Sequence, residues 1–149
     1  MTIRFYSKTA GYSWLSNFSD DGFIVNGVRW PSVEHYYQAH KFSGTEIFRQ
    51  VQQAVSALKA KKMGETHADC VRGDWVSMKE AIMRKALQAK FLQNDRLRKL
   101  LLETGEEELE HESSTDLYWG RTESGEGENR LGVLLMELRA ALRDLSREH

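Results

Sequence analysis

Apolar residues recurring every three or four positions in two long stretches constrain this chain more than any other feature. Leu131, Leu134, Leu135, Leu138 and Leu142 line one side of a helix expected over 130–146, and Trp75, Met78, Ile82 and Ala86 line one over 75–91. A helix with such a stripe must bury it against other elements, so packed helices form the body of the fold. Punctuation between the stripes supplies the rest. Asp74 stands where it can cap the 75–91 helix; Asn94 or Asp95 starts another helix, which Gly105 ends. Pro31 fits a first helical turn and Ser32 a cap, for a helix from about 31 to 42. Thr45 and Ser56 can cap two shorter helices, the second stopped by Gly64. Residues 3–6 read as a strand and 23–30 as a hairpin turning at Asn26-Gly27. The polar stretch 106–116 reads as loop around a short strand, and the glycines of 120–129 make that segment a loop. The expected fold class is α+β and predominantly helical, with a few short strands, in a single compact domain over 1–149.

Composition narrows the function classes. A length of 149 residues suits one domain with a real core, and 40% hydrophobic against 29% charged residues is an ordinary globular balance. The net charge of −1 argues against gripping nucleic acid by bulk electrostatics. Cys70 stands alone, so no internal disulfide forms, which suits a reducing compartment. The first residues lack the apolar run of a signal peptide, and no segment approaches the roughly 18 apolar residues of a membrane span. A cytoplasmic protein with no membrane partner is expected.

The richest segment is Trp30-Pro-Ser-Val-Glu-His-Tyr-Tyr-Gln-Ala-His-Lys-Phe42. On a helix turning roughly 100° per residue, Glu34, Gln38 and Lys41 fall within about 60° of one another. That stripe has two readings, a solvated helix face or a polar site. Tyr36, Tyr37, His35, His40 and Phe42 put large rings on every side, as expected of a partly buried helix, and a buried Glu and Lys need partners or a purpose. A second candidate is Asp116-Leu-Tyr-Trp-Gly120 followed by Gly125-x-Gly-x-Asn129-Arg-Leu-Gly132. It reads as a ligand cradle whose helix N-terminus offers free N–H groups to a phosphate. It reads equally as a loop in which Asn129 merely caps and Tyr118 and Trp119 pack. A dinucleotide fold is excluded, because no strand precedes the glycines.

Other signals carry less. His35 and His40, five residues apart, do not share a helical face, so no metal is expected. His67, Asp69 and Cys70 lack the further ligands of a zinc site. Lys59, Lys61 and Lys62 read as a solvated face, and Trp75 as core or as a stacking surface for a ligand ring.

Taken together, Trp14-Leu-Ser-Asn-Phe18, the 30–42 segment, Trp75, Asp116-x-Tyr-Trp-Gly120 and Gly127-x-Asn-x-Leu-Gly-x-Leu-Leu-Met-x-x-Arg139 resemble the NADAR family, in order, over about residues 4 to 140. The resemblance implies an N-glycosidase that uses no metal or cofactor. It implies a nucleotide-like small molecule as substrate, a phosphoribosylamino-pyrimidine intermediate of riboflavin synthesis, or else guanine in nucleic acid or nucleotide whose exocyclic amine carries ADP-ribose. Both contain a ribose C1 bonded to an exocyclic amine of a heterocycle. By position it implies Glu34, Lys41, Trp75, Asp116 and Trp119 as site residues. Of the whole chain, Glu34, Lys41 and Asp116 are expected to be catalytic, and Asn17, Phe18, Tyr37, Gln38, Trp75, Tyr118, Trp119, Gly120 and Asn129 to bind substrate. One departure is His111, where many relatives place a glutamate, flanked here by Glu110 and Glu112. Cleavage builds positive charge at C1, which a carboxylate stabilises in an oxocarbenium route. Alternatively, a neutral Lys41 amine exchanges onto C1 as a Schiff base. The competing class is a non-catalytic ADP-ribose or nucleotide sensor, which gains nothing from acids near its ligand. The sequence names no toxin partner and no oligomeric state.

Overall fold

Asn26 and Gly27 both take positive φ, 52° and 78°, the pair of left-handed residues a tight antiparallel turn requires. They join β2 (Phe23–Val25) to β3 (Val28–Trp30) in the register Phe23↔Trp30, as the sequence predicts. The structure is a computed structural model, and it describes residues 1–147. Those residues group into two compact units, one of residues 1–16 with those from 94 onward, the other of residues 17–93. The chain is predominantly helical, with α1 to α6 and short strands among the described residues.

In the 17–93 unit the hairpin leads into α1 (Val33–His40), packed against α2 (Glu46–Gln52), α3 (Ala57–Thr66) and α4 (Trp75–Gln93). Ser32 is the cap, its Oγ accepting the His35 N–H at 3.1 Å. Every residue from 33 to 39 is buried, although several are polar. α3 can lie against α1 because Ala57, Ala60 and Gly64 present almost no side chain there. Gly64 does not stop α3 as the sequence reading expected; the helix continues to Thr66. The expected α4 stripe is half-buried at Trp75 and Met78 and fully buried from Ile82 and Met83 to Phe91. Gln93 closes α4 on the hairpin edge, accepting from Ile24 N at 2.8 Å and donating to Ile24 O at 2.7 Å. An edge strand tied in this way has less backbone open to another chain.

In the other unit, β1 (Thr2–Phe5) pairs in parallel with β4 (Glu108–His111), Ile3 opposite Leu109 and Phe5 opposite His111. The acidic stretch thus holds the short strand expected of it. α5 (Asp95–Glu103) and α6 (Arg130–Arg147) pack together, and α6 also packs on β4. Leu131, Leu134, Leu135 and Leu142 form the buried stripe of α6. Arg139, also buried, donates to Thr104 Oγ1 at 2.9 Å, so its charge meets a polar partner.

Candidate active site

The entry to α1 is fixed at consecutive residues: Ser32 caps His35, and the Asn17 carbonyl accepts the Glu34 N–H at 3.0 Å. Glu34 is 7% exposed and Gln38 5%, which excludes the solvated-face reading of this stripe. Gln38 Nε2 donates to Glu34 Oε1 at 2.8 Å. Such a bond to a buried carboxylate is stronger than a neutral one and fixes its orientation.

Lys41 follows as the C-cap of α1, its carbonyl accepting the Arg72 N–H at 2.8 Å. Its Nζ lies 5.4 Å from the Tyr37 ring centre and 5.8 Å from that of Trp75. The two rings meet edge to face at 5.0 Å, so the amine sits at an aromatic corner where cation–π attraction operates. Trp75, half-buried, is therefore an aromatic wall beside Lys41. Asn17 Oδ1 is buried without a partner among the described residues, while Nδ2 makes a long 3.6 Å contact with Met83 Sδ. A buried acceptor left unpaired costs about 1–3 kcal/mol, which a donor on a bound molecule would relieve. Phe18 stands next to it, half-buried.

The histidines of α1 have structural partners. His35 Nε2 donates to Ala54 O at 2.9 Å, so Nδ1 takes the Ser32 hydroxyl hydrogen at 2.7 Å. His40 Nδ1 donates to Tyr36 O at 2.7 Å within a cluster of Trp30, Tyr36 and Phe48, and burial holds its pKa below the usual value. An open depression lined by His40, Phe48 and Arg49 includes none of Glu34, Gln38 and Lys41. The sequence reading missed Lys90, which is completely buried. Burial pushes its ammonium down to about 7, with Asp21 pulling the other way. Its spacing of four from Ala86 was the available signal, since it falls on the apolar stripe of α4.

In the other unit, Asp116 organises a loop. Its Oδ1 accepts from Tyr118 N at 3.2 Å and Trp119 N at 2.9 Å, and its own N–H donates to Ser113 Oγ at 2.9 Å. The Asp116 side chain is exposed, Trp119 is buried, and half-buried Tyr118 meets Trp119 edge to face at 4.9 Å. Gly120 is required sterically: a Cβ there would lie 2.8 Å from His111 O and from Ser113 Cβ.

The expectation that α6 offers free N–H groups to a phosphate is corrected. Asn129 N donates to Gly120 O at 3.1 Å, Arg130 N to Tyr118 O at 2.9 Å and Leu131 N to Trp119 O at 3.1 Å. The loop's own carbonyls satisfy the helix end, the ordinary answer to its orphan donors. Asn129 is 1% exposed, and its amide is committed on both sides, Nδ2 donating to Leu109 O and Oδ1 accepting from His111 N, each at 2.9 Å. His111 stacks on Phe5 with ring centres 5.5 Å apart, and its Nδ1 is buried without a partner among the described residues. Burial pushes its pKa down to about 4 despite Asp116 and Glu112, so the ring is neutral at pH 7.

A NADAR domain model matches residues 4–143. The chain belongs to the NADAR family. N-glycosidase YbiA of Shigella flexneri serotype 5b is 44% identical over 140 residues, spanning 94% of this NADAR chain and 88% of that protein. A riboflavin biosynthesis protein of Vibrio vulnificus is 37% identical over 142 residues, a match spanning 95% of this chain and 39% of the relative. The NMR structure of Escherichia coli YbiA aligns with a TM-score of 0.90 at 42% identity, covering 99% of this chain and 88% of that one.

Proposed function

We propose that this N-glycosidase hydrolyses the bond between ribose C1 and the exocyclic amine of a heterocycle, with a phosphoribosylamino-pyrimidine as substrate. The enzyme is a hydrolase acting on N-glycosyl compounds, as the names of its NADAR relatives indicate. The pyrimidine substrate is favoured over ADP-ribosylated guanine in nucleic acid by the riboflavin name of one relative and by a net charge of −1. The observation that carries the reading is the buried Glu34–Gln38 pair on the helix that ends in Lys41 beside Tyr37 and Trp75. A carboxylate withdrawn from water stabilises cationic charge at C1 far better than an exposed one.

In this reading the ribosylamine ring opens to an imine. The Lys41 amine adds to C1, the heterocycle leaves with its amine protonated, and water hydrolyses the new imine to return lysine and sugar phosphate. Glu34 stabilises the cationic carbon, and Asp116 is assigned as a second catalytic carboxylate. Tyr37 and Trp75 offer ring faces to the heterocycle, and Asn17 Oδ1 accepts from a substrate hydroxyl or amine. No metal or cofactor enters the scheme. We place the enzyme in the cytoplasm, where its exposed free thiol at Cys70 stays reduced; no helix of the described residues is long and apolar enough to cross a membrane.

The test offers both substrate classes to wild type, Glu34→Gln and Asp116→Asn, and follows release of sugar phosphate or ADP-ribose. Pyrimidine turnover that falls on the order of 100-fold or more in each single variant supports a catalytic role for each carboxylate. Full activity in Glu34→Gln refutes the reading, and exclusive turnover of ADP-ribosylguanine moves the substrate class.

A further inference from the structure

Gly64 stands in the body of α3, where a glycine costs about 1 kcal/mol against alanine. It neither ends the helix nor takes a positive φ, so conformational freedom does not account for it. Its lack of a side chain does. A Cβ at 64 would overlap Gln38 Oε1 and lie 2.9 Å from Gln38 Cδ. Gln38 is 5% exposed, and its orientation is set by chemistry: only the NH2 end can donate to the Glu34 carboxylate, which leaves Oε1 turned to Gly64. That oxygen has no hydrogen-bond partner among the described residues. The amide is held at one end by Glu34 and bounded at the other by the α3 backbone.

We infer that Gly64 is a positioning residue for the reaction: by leaving room for the Gln38 amide, it sets the Glu34 carboxylate at the angle catalysis needs. The inference rests on Glu34 being catalytic, as proposed above. An added methyl at 64 cannot be absorbed by swinging Gln38 into water, because Gln38 is enclosed. The amide must move toward or off Glu34, and a displacement of about 1 Å at a catalytic group costs up to roughly 100-fold in rate.

The experiment measures kcat and KM of Gly64→Ala, Gln38→Met, Gln38→Ala and Gly64→Ala/Gln38→Ala on a ribose 5-phosphate joined through C1 to an aminopyrimidine, with circular dichroism to confirm folding. Gly64→Ala and Gln38→Met are each expected to lose about 10- to 100-fold in kcat with KM within about threefold. With Gln38 already shortened to alanine there is nothing left to displace, so adding Gly64→Ala should change kcat no further. A purely structural role for Gly64 predicts instead that its cost persists in the Gln38→Ala background, and that result overturns the inference. Wild-type kcat in Gly64→Ala overturns it too, as does wild-type kcat in Gln38→Met, which decides the matter should Gly64→Ala fail to fold. Each leaves the role of Glu34 intact if Glu34→Gln is inactive. Full activity in Glu34→Gln instead removes the reading beneath.

Discussion

Lys41 Nζ lies 5.8 Å from the centre of the Trp75 ring, joining the last turn of one helix to the first residue of another. If this amine forms the covalent intermediate, borohydride added during turnover will reduce it and fix the sugar phosphate to Lys41, detectable in a peptide mass spectrum. Lys41→Met should lose activity and label together. An active Lys41→Met with no adduct on wild type would leave the oxocarbenium route. Trp75→Phe should lose less turnover than Trp75→Ala, because a ring at 75 still offers a face to the heterocycle.

Asp116 combines two roles that substitution can separate. Its Oδ1 accepts two loop N–H groups, and an asparagine oxygen can do the same. Asp116→Asn should therefore melt like wild type while losing turnover, whereas Asp116→Ala should lose turnover and also about 1 kcal/mol of stability. Equal activity in wild type and Asp116→Asn would remove the charge from the mechanism.

Asn129 holds β4 to the start of α6 through both ends of its amide. Asn129→Ala leaves Leu109 O and His111 N buried and unpaired, at an expected cost of about 2–4 kcal/mol by chemical denaturation. The residue also takes a φ of 51°, a conformation that suits asparagine better than alanine. A loss below about 0.5 kcal/mol would show that these bonds are replaceable by water.

Lys90 makes stability depend on pH in a defined direction. Burial lowers its folded pKa to about 7 from an ordinary 10.5. Between those values the unfolded chain binds more protons than the folded one, so stability rises as pH rises through that window and is lowest below it. Tyr36 acts oppositely above pH 10, because burial raises its pKa and keeps it protonated while the unfolded chain ionises. Melting temperature should climb from pH 7 to 9 in wild type, with a flatter profile in Lys90→Met. Parallel profiles would assign the slope to other groups.

Much of the secondary structure was legible because its rules are local. The leucines of α6, the Asn26-Gly27 turn and the Ser32 cap each depend on neighbours within about four positions, and such patterns survive in any environment. The ordered motifs from Trp14 to Arg139 likewise carry the family resemblance in the sequence alone. Gly64 marks where that reasoning stopped. A glycine late in a helix reads as a terminus, and only the approach of α1 reveals that the missing side chain makes room for Gln38.

The same holds for the site. Sequence determined which carboxylates, amide and amine were available, and that Glu34, Gln38 and Lys41 share a helical face. The tertiary structure decided that Glu34 and Gln38 are withdrawn from water and bonded to each other, that Asn129 serves the backbone of β4, and that the end of α6 is closed by carbonyls of its own loop. Glu34 and Gln38 stand four positions apart on one helix, but the packing that withdraws them from water, like the partners of Asn129 at Leu109 and His111, comes from elsewhere in the chain.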